Sequence, residues 1–153
     1  MEGKVELVEK FGMKKLEENN YEDNYRVRVT KLPDGRFAIF VLLGNVMKAT
    51  TNLWAKKIKK VDVTKENGYA FDGEFMRINK GKLYSTEIIL NKGEVAVAVV
   101  QDGSWKNPGQ HIKIFVALED GIYTVSSGWE TKADKIQTIH LVAEILNFLN
   151  SNK

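Results

Sequence analysis

Residues 25–65 carry Arg26, Arg28, Arg36, Lys48, Lys56, Lys57, Lys59 and Lys60, with Trp54 set among the lysines. Cations neutralise phosphates, and flat aromatic rings offer unpaired bases a surface on which to stack. The combination points to single-stranded nucleic acid. The same segment holds ten Lys or Arg against only Asp34 and Asp62, about +8, in a chain whose net charge is +3. A field that uneven attracts a polyanion or an acidic protein surface. A second pair, Trp105-Lys106, stands in the polar stretch 102–111, which reads as a long hairpin loop of the kind that often carries function. Tyr69, Phe71 and Tyr84 are further aromatics in or near turns. Each of these residues also has a plainer reading. Trp54 shares an apolar stripe with Ile58 and Val61, Trp105 is equally suited to plugging the end of a sheet, and a lysine run is commonly a solvated face.

Other chemistry has little material. The chain has no cysteine, which removes thiolate catalysis, cysteine-ligated metals and disulfides together. Histidine occurs only at His111 and His140, without the acidic neighbours that a zinc or di-iron site requires. Ser85, Ser104, Ser126 and Ser127 stand in no nucleophile elbow, and neither glycine-rich phosphate-binding signature is present. Asp72, Glu74, Asp102, Glu119 and Asp120 fall mainly in turns, where solvation explains them. No catalytic residue, metal ligand or cofactor is therefore assigned, and the chain is read as a binding protein rather than an enzyme.

The elements that must position these residues are mostly strands. Tyr25 to Thr30 alternates, with Val27 and Val29 on one face and Arg26 and Arg28 on the other. Leu32-Pro33-Asp34-Gly35 is a turn, and Phe37 to Leu43 is the second arm of a hairpin. Trp54, Ile58 and Val61 are spaced i, i+4, i+7, which predicts a short helix capped near Thr51-Asn52; a competing reading starts a strand at Ile58. Asn67-Gly68 and Asp72-Gly73 read as turns. Further strands are expected at 75–79, 83–90, 95–101, 112–118 and 122–126, antiparallel through tight polar turns.

The chain opens with short helical turns over 4–19 and closes with its best helix. Thr131 and Asp134 approximate a capping box, and the helix is expected to run to about Asn150. Its apolar arc spans roughly 240°, where packing on one core needs little over 100°. Ile139, Val142, Leu146 and Leu149 step 3-4-3, so the excess surface is read as a homo-oligomer seam.

The expectation is a single domain over 1–153, α+β in class. It comprises an antiparallel twisted sheet of about five to seven strands, a short N-terminal helix and a long C-terminal amphipathic helix. No apolar run is long enough for a membrane helix, and the charged start Met1-Glu2-Gly3-Lys4 is unlike a signal peptide, so a cytoplasmic protein is expected. The functional expectation is sequence-tolerant binding of single-stranded DNA or RNA. The alternative is an assembly module that oligomerises through its last helix and has no nucleic-acid role.

Overall fold

The computed structural model describes residues 2–18, 21–22, 26–45, 53–103 and 108–151. Along the chain these form α1 (Glu2–Glu9), β1 (Lys14–Lys15), β2 (Tyr21–Glu22), β3 (Val27–Lys31), β4 (Phe37–Asn45) and β5 (Ala55–Val61). A 3-10 turn (Gly68–Ala70) leads into β6 (Phe71–Phe75), β7 (Asn79–Lys80), β8 (Leu83–Leu90), β9 (Val95–Gly103), β10 (Pro108–Leu118), β11 (Gly121–Gly128) and α2 (Lys132–Ser151). Among the described residues no helix is long and apolar enough to cross a membrane.

The α+β class, the antiparallel pairing and the two terminal helices are as expected. The strands, however, divide between two sheets. One has six strands in the order β1-β11-β10-β9-β5-β6, the other five in the order β2-β3-β4-β8-β7. The six-stranded sheet lies between the helices and the five-stranded sheet, so its central strands are apolar on both faces. Val95, Val97 and Val99 of β9 join the helix-side core, while Ala96, Ala98 and Val100 join the core between the sheets. Small alanines on the second face let the two sheets approach.

The β3–β4 hairpin forms as read, with Gly35 at φ 93° closing its turn. Val27, Val29, Ile39 and Val41 are buried between the sheets, and Arg28 stands on the outer face, directly across from Phe40. Residues 53–61 are not helical. They enter and form β5, which pairs with β9 on one side and β6 on the other. A separation of four is even, so Trp54 and Ile58 share a face under a period of 2 as well as under 3.6. A bulge between Ile58 and Lys60 then returns Val61 to that same face. Asp72-Gly73 lies inside β6 rather than in a turn. Gly73 passes so close to β5 that an added Cβ would lie 1.9 Å from the Lys57 carbonyl oxygen.

The expected loop at 102–111 shrinks as well, because Gln101, Asp102 and Gly103 pair with Gln110, Gly109 and Pro108. His111 is thus a β10 residue, half-buried between Val100 and Gly128. Trp105 and Lys106 lie outside the described residues, as does Lys48.

The capping box of α2 is reciprocal: Asp134 N donates to Thr131 Oγ1 at 3.0 Å, and Thr131 N donates to Asp134 Oδ2 at 3.2 Å. The oligomer seam needs correction. Ile139 and Val142 are 0% exposed within the protein's own core, so no second copy can reach them. Leu146 and Leu149 are half-buried against that core. Part of the wide apolar arc is consumed by the N-terminal segment, where Phe11 meets Phe148 edge-on with ring centroids 6.0 Å apart.

Candidate aromatic groove

β5 places Trp54, Lys56 and Ile58 on the helix-side face of the six-stranded sheet. The backbone around Trp54 is held on both flanks: Val99 N donates to the Trp54 carbonyl at 2.8 Å, and Met76 N to that of Ala55 at 2.8 Å. The indole packs into an aromatic cluster. Its centroid lies 6.0 Å from that of Trp129, 6.1 Å from Phe71 and 6.4 Å from Phe75. Trp129 and Phe71 are buried and form the base of the cluster, Trp54 is half-buried, and Phe75 stands at the rim.

A turn completes the wall. Asn67 Oδ1 accepts from Tyr69 N at 2.9 Å and caps the 3-10 segment. Gly68 lies over the indole, where an added Cβ would meet Trp54 Cζ2 at 3.2 Å, so the turn settles onto the ring because it lacks a side chain there. The turn throws Tyr69 outward, 86% exposed, and Phe75 at the end of β6 is 65% exposed. Two large aromatic rings left in water beside a third are an exposed apolar patch of the kind that marks binding surfaces. They border a cavity of about 550 Å³ lined by Leu53, Trp54, Lys56, Asn67, Gly68, Tyr69 and Phe75.

Lys56 supplies the cation. Its Nζ donates to the Phe71 carbonyl at 2.7 Å and lies 4.1 Å from the Phe75 ring centroid. Burial pushes this ammonium below the ordinary lysine value, and the negative charge of Asp72 opposes that shift. At the N-terminal end of α2, Lys135 Nζ lies 5.6 Å from the Trp129 centroid, and Lys132 pairs with Glu66 at 2.9 Å.

The remaining residues marked in the sequence do not converge on one surface. Lys57 turns to the other face of β5, where its Nζ meets Glu94 and donates to the Ile89 carbonyl at 3.3 Å. Lys59 and Lys60 are exposed farther along β5. Arg36 is engaged with Asp34 at the tip of the hairpin, with Nη2 2.8 Å from Oδ2. Arg26 Nη1 donates to the Gln101 carbonyl at 3.3 Å, and an added Cβ at Gly44 would contact both Gln101 and Leu53, the latter a wall of the cavity. Arg28 stands on the outer face of the five-stranded sheet. Of the residues singled out, Trp54, Lys56 and Tyr69 therefore meet in the groove, and Arg26 is not among its lining residues.

Phe75 and Trp129 were not read as site residues. Phe75 looked like the first residue of a strand, and Trp129 sits beside a helix cap with no periodic partner. The aromatic in the Asn67-Gly68-Tyr69 turn was the one available signal.

Compared with known protein families, with curated proteins and with solved structures, the chain matches none.

Proposed function

We propose that the protein binds single-stranded DNA or RNA with little sequence preference, with unpaired bases stacking at the Trp54–Tyr69–Phe75 groove. The observation that carries this reading is the exposure of Tyr69 and Phe75 beside Trp54, with the Lys56 ammonium against the Phe75 ring. Every base presents a π-face, so stacking tolerates sequence, while lysines attract the backbone phosphates. The excess positive charge of residues 25–65, including exposed Lys59 and Lys60, supplies the attracting field.

The test is a titration with an oligothymidine at low salt, followed by tryptophan fluorescence and gel mobility. Quenching and an affinity that falls steeply with salt are expected. Unchanged fluorescence and mobility at low salt would refute the reading. The alternative, an assembly module acting through α2, loses support because half of its proposed seam is enclosed in the core.

A further inference from the structure

β6 ends the six-stranded sheet, so its outer backbone edge pairs with no other described strand. The other strands that end a sheet, β1, β2 and β7, are two residues long, against five for β6. An open row of N–H and C=O groups is a template for a further strand, and short edges are one way proteins avoid that. β6 lacks this protection. Asp62 N donates to the Ala70 carbonyl and Met76 N to that of Ala55, both at 2.8 Å, so the even-numbered residues turn their backbone groups toward β5. By the alternation of an antiparallel ladder, Phe71, Gly73 and Phe75 turn theirs outward. Phe71 is already engaged, its N–H with the Gly68 carbonyl and its carbonyl with Lys56 Nζ at 2.7 Å. Gly73 and Phe75 form the open part of the edge, and Asp72, Glu74 and Phe75 are exposed along it.

The charges on β6 decide what can pair there. Across from Glu74 on β5 is Lys57, which is taken up by Glu94 at 3.3 Å, while Lys60 stands across from Asp72. A second copy of the chain fits poorly. Antiparallel pairing of β6 with itself, centred on residue 72, 73 or 74, sets an acidic residue of one copy opposite an acidic residue of the other, and like charges directly opposite destabilise a ladder. We propose that β6 is a docking edge for an extended segment of another protein, which adds as an antiparallel strand along Gly73 and Phe75 and carries lysine or arginine at alternate positions, opposite Asp72 and Glu74. Backbone hydrogen bonds give such a strand its affinity, and the side chains at alternate positions set which segments fit. Residues between the cations fall on the other face, beside the exposed Phe75 ring, and are apolar. The docking needs the backbone of β6 and its carboxylates, so it stands apart from base stacking in the groove.

The experiment titrates the protein into a fluorescein-labelled peptide of alternating valine and lysine, followed by anisotropy. Saturable binding is expected, with slowed hydrogen exchange at the Gly73 and Phe75 amides. Valines opposite Gly73 and Phe75 turn their N–H groups toward β6 and the lysines turn theirs away. N-methylation of the valines should therefore abolish binding, and N-methylation of the lysines should leave it. A peptide with glutamate in place of lysine should bind about tenfold more weakly. The double variant Asp72→Lys/Glu74→Lys, at two exposed positions, should reverse that order. Anisotropy that does not saturate, unaltered exchange at Gly73 and Phe75, or equal binding of the two N-methylated peptides would each overturn the docking edge. Equal binding of the lysine and glutamate peptides would overturn its preference for a basic segment. Protection of the same amides that grows with protein concentration in the absence of peptide would assign the edge to a second copy, and it too would overturn the proposal.

Discussion

The Lys56 ammonium lies 4.1 Å from the centre of the Phe75 ring, with its proton donated to the Phe71 carbonyl behind it. This places a cation and an exposed aromatic ring within one contact, and Trp54 stands at the side of both. The pair couples the two properties that a stacking site needs, a flat apolar surface and positive charge.

Phe75→Ala tests that pair directly. Stacking of one base on an aromatic is worth about 1–3 kcal/mol, so affinity for an oligothymidine should fall about five- to 150-fold. Stability should change little because the ring is 65% exposed. A fluorescence titration and a denaturant melt on the same variant separate the two effects.

Gly73→Ala should destabilise the β5–β6 edge. The new methyl group would lie 1.9 Å from the Lys57 carbonyl oxygen, which forces the strands apart. The loss is expected to be about 1–3 kcal/mol or more in urea unfolding, accompanied by a change in Trp54 emission. Gly81→Ala, where an added Cβ meets nothing within 4 Å, is the matching control and should be near neutral.

Stability should depend on pH through Lys113. In the folded protein this lysine titrates at about 8, below its ordinary 10.5. Between those values the unfolded chain holds a proton that the folded one has released, so stability rises with pH across that window. Below pH 8 both states are protonated and the buried charge is a standing cost of up to about 3 kcal/mol. Lys113→Met should therefore be more stable than the parent near neutral pH, and the difference should shrink toward pH 10.5. Chemical denaturation at a series of pH values measures it. A difference that does not vary with pH would contradict the assignment.

Ile139→Ala separates core from interface. A fully buried isoleucine truncated to alanine costs about 2–5 kcal/mol. The mass measured by light scattering should match that of the parent at every concentration at which the variant is folded. A change in mass at unchanged stability would reinstate the seam.

Much of the fold was legible because its signals are local. The β3–β4 hairpin announces itself in the alternation of Tyr25 to Thr30 and in Pro33-Asp34-Gly35, which set the turn dihedrals with their own side chains. The α2 start was readable because a capping box involves two residues three apart. Residues 53–61 misled because Trp54 and Ile58 are four apart, a spacing that fits helix and strand equally, and because a bulge then kept Val61 in step with the helical pattern. What decided for strand was the pairing of β5 with β9, whose residues lie some forty positions away.

By itself, the sequence determined the antiparallel α+β character, the turn of the β3–β4 hairpin and the cap of the last helix. These depend on neighbours within about four residues, and such interactions are present in any conformation the segment samples. The tertiary structure alone decided that the strands divide between two sheets. It also decided that Lys113 is sealed between them and that α2 buries Ile139 and Val142 against its own sheet. The groove belongs to the same class. Positive charge in residues 25–65 was plain, but only the docking of β6 and the 3-10 turn beside β5 joined Lys56 to Tyr69 and Phe75, because contacts between distant segments follow from packing and not from spacing.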